Sequence, residues 1–322
     1  MIQMKPSISH WMQYRMRGKV LITGGLGNLG SWLSVHFANQ GFDVYVLTRK
    51  AKIQLEGISY NIIEADITDL ATLKSQIKTP FDMCIHAASF NEHFLEDYAK
   101  KALLINTLGT RNLLEALCVH GVKKFIYMST FHVYGANDGH ITEETPFFPK
   151  NDYATTHLCA EYYVKQFAFT CKLDYTIFRL TNSYGCPLNI KTDKWYLVVN
   201  DLVKSAHECG KITLKTNGKA QRDFIWMGDV CRIVEASLSF QDSTTYNLSS
   251  GKSFKILDIA RIVQAVYEKR YQKPLALEIN ALDNLCYEDV YVDNAKLQNI
   301  CNFQVEDQLH NEVEKIFQLL DK

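Results

Sequence analysis

Short apolar runs alternate with amphipathic segments along the chain to about residue 180. The apolar runs are rich in β-branched and aliphatic residues, which is typical of buried strands, whereas the segments between them carry the apolar spacing of helices. The predicted strands are the runs at 20–22, 41–48, 62–67, 81–88, 124–130 and 175–180. Strands that alternate with helices in this way predict an α/β fold built on a doubly wound parallel sheet.

The alternation loosens after residue 180, although the run that begins at Tyr246 returns towards the sheet. We therefore expect one domain over residues 18–180 and a smaller mixed α/β region over 181–322, with segments near 225–250 returning to the first sheet. Residues 1–17 form an N-terminal extension without the apolar stretch of a secretory signal.

Two interpretations of this extension stay open. One is that translation starts at Met16, which lies just before the first strand, so that the extension is a start-site artefact. Alternatively, the extension packs on a neighbouring subunit through its larger side chains, Trp11, Met12 and Tyr14.

The first predicted strand ends in a glycine-rich turn that leads into a helix. Gly24, Gly27 and Gly30 punctuate this turn, with Asn28 and Leu29 between the last two. Glycines let backbone N–H groups approach a pyrophosphate, and the helix N-terminus adds partial positive charge. Because a second strand follows at the distance of a βαβ unit, the segment predicts dinucleotide binding.

The second strand ends in Thr48 and Arg49, neither of which is acidic. An acidic residue at this point binds the adenine ribose hydroxyls of NAD, whereas an arginine favours the 2′-phosphate of NADP. We therefore expect NAD(P) as the cofactor, with NADP favoured over NAD. The alternative is that Arg49 only begins a solvated loop.

Polar or small residues follow several of the predicted strands, namely Gly24, Asp66, His86 and Thr130. Ligands of open parallel sheets bind beyond the carboxyl ends of the strands, so these residues are expected to converge on one crevice. The small residues Ala87 and Ala88 would allow a ligand to approach the backbone closely.

Composition and charge remove several classes of function. Lysine plus arginine and aspartate plus glutamate both total 35, so no net charge favours nucleic acid or an anionic membrane. No apolar run approaches the roughly 20 residues that span a bilayer. The nine cysteines include no C-x-x-C pair. Those in apolar runs, Cys84, Cys118 and Cys171, are interpreted as reduced core thiols of a cytoplasmic protein, and no metal site is expected.

A series of motifs now indicates a family. They are TGGLGNLG at 23–30, D-I at 66–67, HAA at 86–88, STFHVYG at 129–135, YATTH at 153–157, RLTNSYG at 179–185, RDFIWMGDV at 222–230 and YNLSSGKSFKILDIA at 246–260. In this order they resemble the extended short-chain dehydrogenases/reductases of the NAD-dependent epimerase/dehydratase group, over nearly the whole chain. The resemblance implies a Rossmann-type domain that binds NAD(P) and a C-terminal region that holds a nucleotide-diphosphate sugar.

The resemblance also implies roles for individual residues. Thr130 matches the residue that hydrogen-bonds the reacting hydroxyl, and Tyr153 matches the tyrosine base. Asn182 and Arg222 match residues that contact the sugar and the diphosphate, and Ser89 is expected beside them. The residues expected to bind the cofactor are Gly24, Gly27, Asn28, Leu29, Thr48, Arg49, Asp66, Ile67, Ala87, Ala88, Asn106, Tyr153 and His157.

Three positions depart from the family pattern. His157 stands where the family has a lysine four residues after the tyrosine, so it is expected to be a weakened replacement. No lysine or arginine lies between Lys273 and Lys296, where the family commonly supplies a second basic residue for the diphosphate. Phe131 and His132 replace the Asp-Glu pair of members that eliminate water, which argues against 4,6-dehydration. His132 is either a further acid/base or a histidine satisfied within a turn.

The leading hypothesis is a nucleotide-sugar oxidoreductase or epimerase that transfers a hydride between a ring carbon, C4, and NAD(P), in the synthesis of surface-polysaccharide sugars. A reductase or dehydrogenase of another small carbonyl or hydroxy compound is the alternative enzyme. A cofactor-binding scaffold or redox sensor is the alternative without catalysis. The resemblance further suggests a homodimer through two long helices, expected near 102–118 and 153–169.

Overall fold

The computed structural model describes residues 17–49, 54–92, 94–136, 138–192 and 194–322. The N-terminal side chains discussed above, Trp11, Met12, Tyr14 and Met16, lie outside the described residues. The strands in chain order are β1 (Lys19–Thr23), β2 (Asp43–Thr48), β3 (Asn61–Glu64), β4 (Phe81–His86), β5 (Val122–Thr130), β6 (Gly139–Ile141), β7 (Asp174–Leu180), β8 (Asn182–Tyr184), β9 (Lys211–Leu214), β10 (Gln221–Trp226), β11 (Thr244–Leu248), β12 (Ser253–Lys255), β13 (Ala276–Ile279) and β14 (Val290–Val292). The α-helices are α1 (Asn28–Asn39), α2 (Leu70–Gln76), α3 (Tyr98–Ala102), α4 (Thr110–His120), α5 (Asp152–Cys171), α6 (Val198–Cys209), α7 (Met227–Ala236), α8 (Ile256–Tyr271), α9 (Ala295–Cys301) and α10 (Leu309–Leu320).

The central sheet has seven parallel strands in the order β11-β7-β5-β4-β1-β2-β3. The strand order reverses between β1 and β4, which is the switch point where ligands of doubly wound folds bind. The α/β class and the doubly wound parallel sheet predicted from the sequence are confirmed. The strand at 244–248 joins the far edge of this sheet beside β7.

Side chains alternate between the two faces of β1 and enter separate cores. Val20 and Ile22 pack with the apolar sides of α1 and α7 on one face, whereas Leu21 packs with α4 and α5 on the other. Because both faces are covered by helices, consecutive residues of β1 are apolar and buried. This burial fixes the loops at the carboxyl ends of β1 and β4 next to each other.

The C-terminal region has a core of its own. Helices α6, α8 and α10 pack together there with β9, β10 and β13. The small sheet β12-β10-β8 lies between this core and the central sheet, since β8 follows β7 directly and pairs in parallel with β10. The division into a cofactor domain and a substrate region stays a prediction. No helix among the described residues is long and apolar enough to cross a membrane.

The predicted helix over 102–118 is not one regular α-helix. A π-helical segment, Leu103–Gly109, separates α3 from α4. The hydroxyl of Thr110 donates to the carbonyl of Asn106 at 2.5 Å inside this segment. A Cβ on Gly109 would lie 2.8 Å from the side chain of Ile67, so this loop residue packs closely on the segment. Apolar spacing alone does not reveal the wider turn, because residues on both sides keep an apolar face.

The expectation that Cys118 and Cys171 are reduced core thiols is wrong in this structure, which joins them by a disulfide. They lie near the carboxyl ends of α4 and α5, and their Cα atoms are 6.1 Å apart. Each cysteine taken alone fits an apolar run, and only the side-by-side packing of the two helices brings them together. Cys84 is a buried free thiol, as expected.

Candidate functional site

The turn between β1 and α1 is closed by glycines that larger residues could not replace. Gly24 has a left-handed φ of +65°, and a Cβ there would lie 2.9 Å from the Cα of Ala88. A Cβ on Gly30 would overlap the carbonyl oxygen of Gly24. The amide of Ala87 donates to the carbonyl of Thr23 at 3.3 Å, which fixes the loop after β4 against the turn.

The N-terminus of α1 has open space in front of it. A Cβ on Gly27, the N-cap residue, would meet only the carbonyl oxygen of Gly24 within 4 Å among the residues that the structure describes. The first turn carries no acidic residue and no capping side chain. The side-chain oxygen of Asn28 is buried without a hydrogen-bond partner in the described part of the chain, while Leu29 packs on the core. A helix N-terminus that carries no acidic residue in its first turn fits the pyrophosphate of a dinucleotide.

The residues expected at the adenosine end lie at the ends of β2 and β3. Thr48 closes β2 and accepts the amide of Ala65 at 3.0 Å, and Arg49 follows it with an exposed side chain. Asp66 accepts from the amide and the hydroxyl of Thr68, at 2.8 and 2.7 Å, so the loop is fixed by its own turn. Ile67 is buried beside this turn.

Four rings form a column beneath the crevice. The rings of His86 and Tyr127, which are opposite each other on β4 and β5, stack with centroids 5.6 Å apart. Tyr127 stacks in turn on His157 of α5 at 5.7 Å, and His157 meets the ring of Tyr153 edge-on at 4.5 Å. One turn of helix separates Tyr153 from His157, so both rings lie on the same face.

His157 is held as a neutral imidazole. Burial and the neighbouring histidines lower its pKa to about 3. Its Nδ1 lies 2.7 Å from the hydroxyl of Tyr127, whereas its Nε2 is buried with no hydrogen-bond partner among the residues described. His157 therefore lacks the permanent charge of a lysine and leaves one ring nitrogen for a ligand.

Tyr153 and Thr130 meet at the carboxyl end of β5. The side chain of Thr130 lies close enough to the hydroxyl of Tyr153 to lower its pKa, but burial has the larger effect and raises the pKa of Tyr153 to about 12. Thr130 also accepts from the amide of His132 at 3.2 Å, which fixes the turn after the strand. Asn151 caps α5 by accepting from the amide of Ala154 at 2.8 Å, so Tyr153 stands in the first turn of that helix.

His132 and Arg222 lie on the other side of Tyr153. The ring of His132 is 6.2 Å from that of Tyr153. Burial and the nearby guanidinium of Arg222 lower the pKa of His132 to about 4, so this imidazole is neutral near pH 7. Arg222 is half-buried and donates to the carbonyl of Gln221 at 2.8 Å.

Asn182 and Arg222 both adjoin Asp223, a buried residue of β10: Asn182 through a hydrogen bond and Arg222 as its neighbour in the chain. Asp223 accepts the hydroxyls of Thr181 at 2.6 Å and Ser250 at 2.8 Å, and the carbonyl of Asp223 accepts from Asn182 at 2.9 Å. These bonds connect β8, β10 and the loop after β11. Ser89 lies apart from this network, exposed three residues after β4.

Two residues expected at the crevice lie beneath it instead. His86 is fully buried, with Thr23 at 2.6 Å from Nδ1 and Thr110 at 2.8 Å from Nε2, so the expectation that it lines the crevice is wrong. The carboxamide of Asn106 is also buried. Its oxygen accepts from the amide of Phe90, and its nitrogen donates to the carbonyl of Phe90 and to the hydroxyl of Thr156. Asn106 thereby fixes the loop after β4 from below.

Sequence reasoning missed Tyr127 and Thr110. Tyr127 stands inside the apolar run of β5, where its position gives no sign that its hydroxyl meets a histidine. Lys194 pairs with Glu92. Its charge acts to lower the pKa of Tyr153, against the larger effect of burial.

The chain is similar in sequence to known nucleotide-sugar enzymes. The dTDP-D-glucose 4,6-dehydratase of Mus musculus is 27% identical over 269 residues, which cover 78% of this chain and 73% of the relative. The dTDP-L-rhamnose 4-epimerase of Burkholderia thailandensis is 25% identical over 297 residues, covering 77% and 81%. Similar chains thus include both a dehydratase and an epimerase.

A solved structure has the same fold. The UDP-glucuronic acid 4-epimerase of Bacillus cereus, in complex with UDP-glucuronic acid and NAD, aligns with a TM-score of 0.75 at 23% identity, over 94% of this chain and 99% of that one. The family model described as "NAD dependent epimerase/dehydratase family" matches residues 20–249. This match spans the glycine turn, the Thr130–Tyr153 pair and the return of β11 to the sheet. The chain belongs to the NAD-dependent epimerase/dehydratase family.

Proposed function

We propose that this protein is a nucleotide-sugar oxidoreductase or epimerase that transfers a hydride between C4 of the sugar ring and NAD(P). The observation that carries the proposal is the placement of Thr130, at the carboxyl end of β5, next to Tyr153, whose pKa its side chain lowers, in the parallel sheet whose strand β1 leads into the glycine turn. A tyrosine with a hydroxyl partner at this position is suited to moving the proton of a sugar hydroxyl.

The residues present fit a dinucleotide. Gly24, Gly27 and the N-terminus of α1 would hold the pyrophosphate, and Asp66 with Ile67 would hold the adenosine end. Ala87 and Ala88 leave the backbone open to the middle of the cofactor. When bound, the nicotinamide supplies the carbon that accepts or donates the hydride.

Tyr153 carries the proton of the reaction. In oxidation it takes the proton of the C4 hydroxyl, and in reduction it returns a proton to the carbonyl oxygen, while Thr130 orients that oxygen. Because the pKa of Tyr153 is about 12, the phenol is protonated at neutral pH and is ready to act as the acid. The neutral His157 adds no charge that would stabilise the phenolate, so oxidation is the harder direction near pH 7.

We propose His132 as a second group, besides Tyr153, that transfers a proton. Its neutral imidazole stands beside Arg222, at the position where family members that eliminate water carry an acidic residue. Phe131, the residue before it, has no group that can move a proton. The reaction is therefore oxidation, reduction or epimerisation and not 4,6-dehydration, although similar chains include dehydratases.

We propose that NADP is preferred over NAD. The support is Arg49, whose exposed guanidinium follows β2 where the family fold binds the adenine ribose. A charge-assisted contact between this guanidinium and a 2′-phosphate is worth roughly 1.5–3 kcal/mol. NAD, by contrast, is the cofactor in the solved Bacillus cereus epimerase.

We further propose that residues 18–180 bind the cofactor and residues 181–322 the nucleotide sugar, with Asn182, Arg222 and Ser89 facing the substrate. The likeness to UDP- and dTDP-sugar enzymes supports this substrate class, and with it we propose a part in the synthesis of surface-polysaccharide sugars. A reductase of another small carbonyl compound is the alternative. It is favoured by the absence of lysine and arginine between Lys273 and Lys296.

A homodimer through α4, α5 and the π-helical segment is also proposed. These helices pack side by side within one chain and leave a row of apolar side chains exposed, Leu104, Leu108, Val119, Tyr162 and Phe169. An exposed apolar surface of this kind is typical of a subunit interface. Sedimentation velocity of the full chain would detect the dimer.

A turnover screen tests the proposed activity. The purified protein is incubated with UDP-, dTDP- and GDP-sugars and with NAD or NADP, and the products are separated and weighed by mass spectrometry. We expect an unchanged mass for an epimer or a change of two hydrogens for an oxidoreductase. Loss of one water would contradict the assignment, and turnover of simple aldehydes or ketones alone would favour the alternative enzyme.

A further inference from the structure

The column of rings contains a hydroxyl that the proposed chemistry does not use. Tyr127 is fully buried on β5, and its hydroxyl lies 2.7 Å from Nδ1 of His157. The ring of Tyr127 is clamped between those of His86 and His157. Both its position and the direction of its hydroxyl are therefore fixed by packing.

The hydrogen bonds around His86, at the other end of this column, fix which groups carry protons. Thr23 accepts from the amide of Ala88 at 3.2 Å, which leaves its own proton for Nδ1 of His86. Nε2 of His86 then carries a proton and donates to Thr110. Thr110 uses its only proton on the carbonyl of Asn106. With these directions each donor has one acceptor. If Thr110 donated to Nε2 of His86 instead, it would need two protons, one for Nε2 and one for the carbonyl of Asn106.

It follows that Thr110, which also lies near the hydroxyl of Tyr127, has no proton left to donate to it. Burial raises the pKa of Tyr127 well above its ordinary value, so this phenol keeps its own proton. Among the described residues, the hydrogen bond that this hydroxyl forms is the one to Nδ1 of His157, at 2.7 Å, and none to Thr110 is formed, so the proton of Tyr127 goes to Nδ1. A neutral imidazole that accepts at Nδ1 carries its proton on Nε2.

We propose that Tyr127 is a positioning residue that holds His157 in the Nε2–H tautomer, so that a neutral N–H donor points at the cofactor ribose and the oxygen of Tyr153. The identity of the groups that this donor faces, the cofactor ribose and Tyr153, rests on the proposed function. It explains why Nε2 is the buried ring nitrogen without a partner in the described part of the protein. It also explains how the site works without the lysine of the family, because one fixed N–H replaces a mobile ammonium as the donor.

The tautomer is tested directly by long-range 1H–15N correlation spectra of the 15N-labelled full chain. The signals of His157 are assigned by their absence in His157→Gln. We expect a protonated Nε2 and an unprotonated Nδ1 in the wild type, and loss of this preference in Tyr127→Phe. A protonated Nδ1 in the wild type, or an unchanged tautomer in Tyr127→Phe, would overturn the proposal. The wild-type spectrum decides even where the variant folds poorly.

Tyr246→Phe is the matched control, because Tyr246 is also a fully buried tyrosine of the central sheet but its hydroxyl has no hydrogen-bond partner among the described residues. It should leave the tautomer of His157 unchanged. Titration with NADPH and with NADH, followed by fluorescence, should show binding about tenfold weaker in Tyr127→Phe, as expected for one misdirected donor. Equal binding by the wild type and Tyr127→Phe would contradict a role towards the cofactor. The tautomer spectrum and the cofactor titration need no sugar substrate. A failed sugar screen would therefore contradict the proposed activity without deciding the role of Tyr127.

Discussion

Replacing His157 with lysine should restore the charge that the family places beside the tyrosine. The rings of His157 and Tyr153 are 4.5 Å apart. At an effective dielectric constant of about 20, two unit charges at this separation interact by about 4 kcal/mol, which corresponds to about 3 pKa units. Burial of the new ammonium offsets part of this, so we expect the pKa of Tyr153 to fall by about 2 units in His157→Lys.

The assay is the pH dependence of kcat/KM in both directions. With a pKa of about 12 for Tyr153, oxidation by the wild type should rise about tenfold per pH unit from neutral to alkaline pH. In His157→Lys the whole oxidative profile should shift about 2 pH units lower, which makes oxidation about 100-fold faster near neutral pH, whereas reduction there should stay nearly flat because the phenol is already protonated. His157→Gln, which is neutral, should keep the wild-type profile. An unmoved oxidative profile in His157→Lys would refute the reasoning.

Three further predictions concern the cofactor and the buried charges. Arg49→Ala should lower the ratio of NADP to NAD affinity at least tenfold by fluorescence titration, and an unchanged ratio would show that Arg49 does not read the 2′-phosphate. Glu161→Gln should lower the free energy of unfolding in urea by about 3–5 kcal/mol, because Glu161 is the fully buried partner of Arg179, and a loss below about 1 kcal/mol would contradict this. His86 and His157 both have pKa values lowered to about 3, so the folded state binds fewer protons than the unfolded state below pH 6.5. Stability should therefore fall as pH falls, by about 2 kcal/mol for each histidine between pH 6.5 and 5, and equal unfolding free energies at pH 7 and 5 would contradict the buried neutral state.

Most of the sheet was predictable because burial leaves a direct mark on the sequence. Val20, Leu21 and Ile22 are apolar on both faces of β1, and this pattern distinguishes a central parallel strand from a half-exposed one. The glycine turn was predictable for a related reason. Gly24 and Gly30 stand where the backbone approaches itself so closely that no Cβ fits.

The features that the sequence did not reveal depend on contacts between distant segments. The disulfide of Cys118 and Cys171 spans 53 residues and requires the packing of α4 on α5. His86 follows an apolar run as a ligand-binding residue would, but Thr23 and Thr110 use both of its ring nitrogens beneath the crevice. Tyr127 has the pattern of an ordinary core aromatic, and only the fold shows that its hydroxyl meets a histidine.

The most direct test of the central claim follows the hydride itself. A nucleotide sugar that the screen identifies as substrate is prepared with deuterium at C4 and incubated with the wild type and with Tyr153→Phe. Where the cofactor is released reduced, the label is sought in its nicotinamide; where the product is an epimer, a slower reaction of the deuterated sugar reports the same bond breaking. We expect transfer by the wild type and none by Tyr153→Phe, which should still bind NADPH. Full turnover by Tyr153→Phe, or turnover by the wild type with no sign of C4–deuterium cleavage, would contradict the account.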